Sequence, residues 1–420
     1  MNGEKRVWII NHYAGSMLWD QGGRHYAFAK YLRREGYEPV VFCCNAKHNS
    51  DNAVFYDLHG LWREEYAEEM STPFIFVAGR PYTGNGKQRI LNMIDFYRNV
   101  KRAAVEYASE HGKPDVIYAS SVHPLTLVAG IKLAKRFGVK CICEVRDLWP
   151  ESIAVYFRKG PILSLMLRVM YRGEHWIYRK ADALIFTMEG AYDYIVERGW
   201  KNDIPRSKVF FINNGVDLEQ FDSNLKSNQI DDEDLRNPAF IKVIYTGSIR
   251  KVNNLGVLID VAKHVKNPKI RFLVWGDGNE LEHMKGRVQN EHVENLVFKG
   301  RVEKKYIPYI TTKADLNLVH NTESSIMRFG LSMNKIFDYF AAGRPILIDF
   351  IAPYNPVIDN CAGIQPNSSL VQDIAAAVDL FATMEEEEQD RLAHAARNAA
   401  RAYDFSTLTQ KLIEVIKTIQ

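Results

Sequence analysis

The chain has 420 residues, with 46% hydrophobic, 25% charged and 12% aromatic residues and a formal charge of +3. At about 100 to 200 residues per domain this length implies two or three domains, and two is the working expectation. A near-average composition without a Pro/Gly/Ser tract or long like-charge block excludes a disordered, fibrous or low-complexity protein.

The apolar run VWII near the start is too brief for a signal peptide. No segment offers about 18 uncharged apolar residues in a row, so the expectation is a cytoplasmic protein without a membrane span. The five cysteines are odd in number, lie mostly in apolar runs and lack zinc-like spacing, which reads as buried thiols. Cutting the chain near residue 215 leaves 30 Lys+Arg against 23 Asp+Glu before the cut, a net +7, and 24 against 28 after it, a net −4. That asymmetry admits an anionic partner for the first half.

In chain order, short β-rich runs at 7–11, 39–43, 74–77, 116–119, 141–145, 183–187 and 209–212 alternate with amphipathic stretches. The first of these is a helix over 23–35, ended by Gly36. This is the pattern of an open parallel sheet wrapped by helices. The polar, acidic stretch 222–238 reads as linker or surface excursion. The alternation then restarts, with strands at 241–245, 270–275, 296–298, 314–319 and 345–349 and helices at 255–266, 280–289 and 332–342. Residues 372–420 are helical in pattern. The fold class is therefore α/β: two Rossmann-like doubly wound parallel-sheet domains, 1–215 and 216–403, facing each other across a cleft.

Ligands of such sheets bind at the carboxyl ends of the strands, so unusual residues there are candidates. After the first strand, Gly22 and Gly23 open a helix, which reads equally as N–H groups facing an anion or as a plain turn. The string is not G-x-G-x-x-G, and WGDGNE at 275–280 also lacks that spacing, which disfavours nicotinamide or flavin use. After the fifth strand, EVRDLWPES at 144–152 puts Arg146 and Asp147 where a bland loop would suffice, which reads as a functional pair with a buried structural ion pair as the alternative. INNGVD at 212–217 contains the turn signal around Asn214. In the second half, YTGSIRKVNNLG at 245–256 places Arg250 and Lys251 just before a helix, suited to phosphate oxygens. In SMNKIFDYFAAGRPIL at 332–347, Lys335 and Asp338 stand three apart on one helix face. The pair reads either as a cation for a diphosphate beside a carboxylate for paired sugar hydroxyls, or as an exposed helical ion pair.

These strings, together with GGRHYAFAKYLRREGYEPVVF, FLVWGDGNE and VFKGRV, resemble in order and over residues 7 to about 350 the retaining family 4 glycosyltransferases of the GT-B fold. EVRDLWPES and MNKIFDYFAAGRP particularly resemble the bacterial O-antigen and capsule polysaccharide enzymes of the fucosamine transferase-like group, which use nucleotide-linked N-acetylamino sugars. The resemblance implies that Gly22 and Gly23 approach the donor diphosphate or the acceptor and that Asn214 lines the cleft. It further implies that Gly247, Arg250 and Lys251 hold the diphosphate, that the turn at Gly300, Arg301 and Val302 reads the base, and that Asp338 binds the ribose. The last helix, 404–420, would cross back onto the first domain. Two departures stand out. The family's first glutamate falls on Gly330, so backbone N–H groups of 328–331 would grip the sugar instead. The usual Arg and Lys of the phosphate loop fall near Ser248 and Asn253, leaving Arg250 and Lys251 to substitute.

The implied reaction moves a sugar from a nucleoside diphosphate sugar, UDP being the expected nucleotide, to a lipid-linked saccharide in surface polysaccharide (lipopolysaccharide) biosynthesis. It would proceed with retention, without a cofactor or metal, with Arg250, Lys251 and Lys335 on the diphosphate and Arg146 or Asp147 orienting the acceptor hydroxyl. The expected acceptor is a polyprenyl-diphosphate-linked saccharide. The stretch 158–180 carries Arg158, Lys159, Arg168, Arg172, Arg179 and Lys180 against Glu174, interleaved with apolar residues. It would suit peripheral attachment to the anionic inner face of a plasma membrane, while a helix packed on the sheet is the plainer alternative. A GT-B sugar-nucleotide epimerase and a non-catalytic two-lobed sugar-binding protein are the rival readings. Nucleic-acid binding is disfavoured by the dispersed basic residues.

Overall fold

The apolar runs become strands buried on both faces, because helices cover both sides of each sheet. The computed structural model describes residues 4–48, 54–67, 71–84, 86–154 and 160–420. The chain forms two compact units, Met1–Asn213 with Phe405–Gln420, and Asn214–Asp404.

The first unit holds β1 (Lys5–Ile10), β2 (Tyr37–Cys44), β3 (Trp62–Ala67), β4 (Thr72–Val77), β5 (Val116–Ser120), β6 (Lys140–Val145), β7 (Ala183–Phe186) and β8 (Val209–Phe211). Their order in the sheet is β3-β4-β2-β1-β5-β6-β7-β8. The pairs are parallel apart from β3 on β4, where Trp62 faces Val77. The sequence pattern does not reveal β3 because WREEYA is too charged to look like a strand, which is how natural edge strands avoid pairing with other chains. The helix Phe405–Ile419 belongs to this unit, packing Phe405 edge-on to Phe28 of the helix Arg24–Arg34, ring centroids 5.6 Å apart.

The second unit holds β9 (Ile241–Thr246), β10 (Ile270–Trp275), β11 (Leu296–Gly300), β12 (Leu316–Val319), β13 (Ile346–Ile348) and β14 (Gly363–Ile364), in the order β11-β10-β9-β12-β13-β14. The stretch 222–238, expected as linker or surface excursion, is a structured excursion rather than a linker. Helix Leu218–Ser227 runs into it, capped by Asp217 accepting from Gln220 N at 3.2 Å, and Glu233–Arg236 forms a second turn capped by Asp232. Buried Phe221 and Leu235 anchor the segment, and its acids are tied down where Lys299 Nζ meets Asp232 at 2.7 Å and Asp234 at 2.5 Å. Local capping and one cation outweigh the low apolar content.

Four cysteines are buried as expected, but Cys361 is exposed. Burial pushes the Cys44 thiol up to about 11. Among the described residues no helix is long and apolar enough to cross a membrane.

Candidate functional site

Strand order reverses between β1 and β5 in the first sheet and between β9 and β12 in the second. At such a switch point the loops leaving adjacent strands diverge and open a crevice at the carboxyl edge. Each unit presents its polar residues there.

In the second unit, Gly247 follows β9 and has φ +151. A Cβ built on it would stand 2.8 Å from Lys335 Nζ and 3.0 Å from the Tyr245 hydroxyl, so the absent side chain is what admits the ammonium. Lys335, on helix Asn334–Ala342, lies 3.7 Å above the Tyr245 ring centroid. The side chain keeps some exposed surface, yet it is set deep enough among protein atoms that burial pushes its ammonium down to about 7, with Asp349 acting in the opposite sense. Tyr339, on the same helix, accepts from Thr246 N at 2.9 Å and fixes the helix to the end of β9. His320, just after β12, contacts Asp349 through Nδ1 at 2.5 Å and the Asn254 carbonyl through Nε2 at 3.3 Å. Together these groups form a small polar cradle at the switch point.

The WGDG string shapes this loop. Gly247 N donates to Trp275 O and Ile249 N to Asp277 O, and a Cβ on Gly276 would come within 1.8 Å of Gly247 O. Gly276 N in turn donates to Gly300 O, which places Arg301 and Val302 at the outer end of the same paired segments.

Arg250 and Lys251 follow Gly247 in the loop but project exposed, while Ser248 and Asn253, where the family's cations would fall, hydrogen-bond each other at 2.9 Å. Gly330 is buried with φ +115 and its N–H donates to Met327 O, so it cannot offer that N–H to a sugar. Asp338 is partly buried, which raises its carboxyl above the ordinary value against the opposing pull of Lys304. Asn214 donates through Nδ2 to Ser332 O at 2.7 Å and so steadies the entry to the Lys335 helix.

In the first unit, Arg146 and Asp147 follow β6, next to the switch point. Arg146 N donates to Ser121 Oγ at 3.0 Å. Crowding around Asp147 raises its carboxyl, with Arg146 and Arg89 opposing, but an exposed surface limits that rise. Gly23 caps helix Arg24–Arg34 at φ +97. The neighbouring Gly22 is a correction: its N–H donates to Met17 O at 3.1 Å and is not available to an anion.

Sequence reasoning missed two constellations here. Arg24 and Glu144, from the GGRH and EVRD strings, form a fully buried pair at 2.5 Å. Arg24 also donates to the Asn213 and Ile212 carbonyls, and Glu144 accepts from Ser120 Oγ at 2.6 Å and from the Tyr118 hydroxyl. The Arg24 charge holds the Glu144 carboxyl well below its ordinary value despite burial. Second, His12 Nδ1 and His123 Nε2 meet at 2.6 Å after β1 and β5, and His123 Nδ1 is buried without a hydrogen-bond partner. Burial, and then Arg89, hold His123 down to about 3, so it is neutral. Both histidines stand within three residues of a strand end, and that position is the one signal the sequence holds for them.

Among the described residues no three His, Cys, Asp or Glu side chains gather as metal ligands.

The family model described as Glycosyltransferase Family 4 matches residues 24–220, and that described as Glycosyl transferases group 1 matches 227–399. Comparison with curated proteins gives no match. Among solved structures the chain is similar to sucrose-phosphate synthase from Thermosynechococcus elongatus, 16% identical over 99% of both chains with a TM-score of 0.70. It is also similar to Anabaena HepE in complex with UDP and glucose, 15% identical over 99% of this chain and 100% of that one, TM-score 0.66. A trehalose-6-phosphate protein from E. coli bound with UDP-2-fluoro glucose is 12% identical over 99% and 100%, TM-score 0.71.

Proposed function

The chain is a family 4-like glycosyltransferase of the GT-B fold, and from that premise we propose that it transfers an N-acetylamino sugar from a UDP-sugar to a lipid-linked saccharide in surface polysaccharide assembly, retaining the anomeric configuration. The observation that carries the reading is the cradle around Lys335: an ammonium held near pKa 7 over an aromatic ring, beside a backbone with no side chain in the way. A group of that kind is completed by an anion. UDP is favoured as the nucleotide because fold neighbours have been solved with UDP and UDP-sugars.

In this reading the anomeric C–O bond to the diphosphate breaks, and the electron pair leaves with UDP. Lys335 meets the growing charge, with Arg250 and Lys251 approaching from the loop, so the proposal assigns this work to side chains rather than a metal. Asp338 takes the ribose hydroxyls, and Arg301 and Val302 lie beside the base. Asp147 and Arg146 orient the acceptor hydroxyl, whose oxygen bonds to the anomeric carbon as its proton passes to an oxygen of the departing diphosphate. The lipid-linked acceptor and attachment to an anionic inner membrane face are supported by helix Pro161–Lys180. Its first three turns contain no buried residue, and Ile162, Leu165, Met166 and Val169 are exposed on it at helical spacing, Ile162 by 85%. Arg158 and Lys159 of the basic stretch lie outside the described residues.

The test is release of UDP or GDP from a panel of nucleotide sugars, with and without lipid-linked and soluble acceptors. Acceptor-dependent UDP release is expected. Conversion of the UDP-sugar without any acceptor would support the epimerase reading instead.

A further inference from the structure

We infer that a groove in the first unit, beside helix Pro161–Lys180, receives the hydrocarbon chain of a phosphate-linked lipid acceptor, a deeper claim that rests on the acceptor reading above. The groove has a volume of about 370 Å³, and its walls include Leu127, Val128, Pro150, Met170, Trp176 and Ile177. That size lies within the ~300–1,000 Å³ of small-molecule sites, and its apolar lining matches their chemistry. Two features tie it to a lipid acceptor rather than to a generic apolar ligand. Ser121 and Asp147 also line the groove, so a chain lying in it ends near the carboxylate assigned to the acceptor hydroxyl. Trp176, half in the wall, belongs to the helix whose earlier turns expose Ile162, Leu165 and Val169, so a chain can pass from a bilayer into the groove along one apolar surface.

Charge complementarity selects an anionic lipid. The same helix lines a second groove, of about 410 Å³, with Arg168, Arg172 and His175, joined there by Arg198. Lys132 lines the apolar groove together with two carboxyls whose charge burial disfavours, Asp147 and Glu174. A phosphate on the hydrocarbon meets Lys132 in the groove wall, whereas the arginines on the helix's other face meet an anionic bilayer surface.

Gly173 keeps the groove open. It sits inside a 20-residue helix, where glycine weakens the helix relative to alanine, and it lines the groove. Apart from the helix's own backbone, no atom lies within 4 Å of where its Cβ would stand. A side chain there would enter open space without distorting the fold.

The test measures quenching of tryptophan fluorescence, since Trp149 and Trp176 line the groove, with farnesyl diphosphate, inorganic pyrophosphate and a neutral dodecyl glycoside as probes. Farnesyl diphosphate is expected to bind at least tenfold more tightly than either control. Gly173→Leu should weaken it about tenfold and Gly173→Ala by less, with UDP affinity and thermal midpoint unchanged. Equal binding of farnesyl diphosphate and pyrophosphate, equal binding of the neutral glycoside, or wild-type binding by both variants would each overturn the groove assignment. Because the probe needs no donor, failure here is separable from failure of the transfer reaction: a protein that turns over UDP-sugar with acceptor but ignores farnesyl diphosphate retains the function and loses the groove.

Discussion

The Lys335 ammonium occupies the space where a side chain on Gly247 would begin, 2.8 Å from the position of the missing Cβ. Two residues 88 positions apart in sequence thus share one site, and each constrains the other. Gly247→Ala must push the ammonium aside and also strains a backbone at φ +151. Its UDP dissociation constant, read by titration calorimetry, is expected to rise about tenfold, or ~1.4 kcal/mol. Lys335→Ala and Asp338→Ala should each weaken UDP by a similar factor, and unchanged binding in both would remove the donor-site assignment.

The Lys335 pKa gives a pH signature. Burial lowers it from 10.5 to about 7, so the charged form that attracts a diphosphate is lost as pH rises through neutrality. UDP affinity should fall between about pH 6.5 and 8.5, and binding at pH 8 should take up a proton, visible as a dependence of the calorimetric enthalpy on the buffer. Lys335→Arg, charged throughout, should flatten the profile. Without nucleotide the same shift makes stability increase from pH 7 toward 10.5, because there the unfolded chain holds a proton that the folded chain has released.

The Arg24–Glu144 pair is expected to be structural. Both side chains are fully buried, and Arg24 reaches the 212–213 carbonyls as well as Glu144. Glu144→Ala leaves a buried guanidinium unpaired, which costs about 3–5 kcal/mol. Urea denaturation should show that loss, while the UDP affinity of whatever protein remains folded is retained.

Glu174 should limit stability near neutral pH. Burial raises its carboxyl to about 7, although the Tyr194 and Tyr178 hydroxyls oppose this by hydrogen bonding to it. The folded state therefore holds a proton between about pH 4.5 and 7 that the unfolded state gives up, and stability declines as pH rises across that window. Glu174→Gln should flatten the decline, as followed by urea midpoints at pH 4.5, 5.5 and 7.

Helix Pro161–Lys180 should carry the membrane contact. Flotation with vesicles rich in anionic lipid is expected to recover the wild type, and Arg168→Glu with Arg172→Glu should abolish that recovery. Equal recovery with neutral vesicles would count against the anionic surface.

Much of the fold was legible in residue order. Alternating apolar runs and amphipathic stretches specify buried parallel strands and covering helices, since period and burial are local properties. The same logic failed at Trp62–Ala67, whose pairing depends on β4 rather than on its own composition, and at 222–238, where capping aspartates and distant Lys299 replace apolar content. Strings marked candidates but did not assign their work: Arg24 and Glu144 look like neighbours of a site and prove to be an internal tie, while His12 and His123 stand out only once β1 and β5 are paired.

The sequence by itself therefore determined two α/β domains, the glycine that makes room and the lysine that fills it. Only the tertiary structure decided that these two meet. Strand order sets which loops leave the sheet together, and that order depends on pairings between residues far apart in the chain. The groove beside Gly173 has the same origin, because its walls come from the helices Pro124–Phe137 and Pro161–Lys180, which only the folded chain brings together.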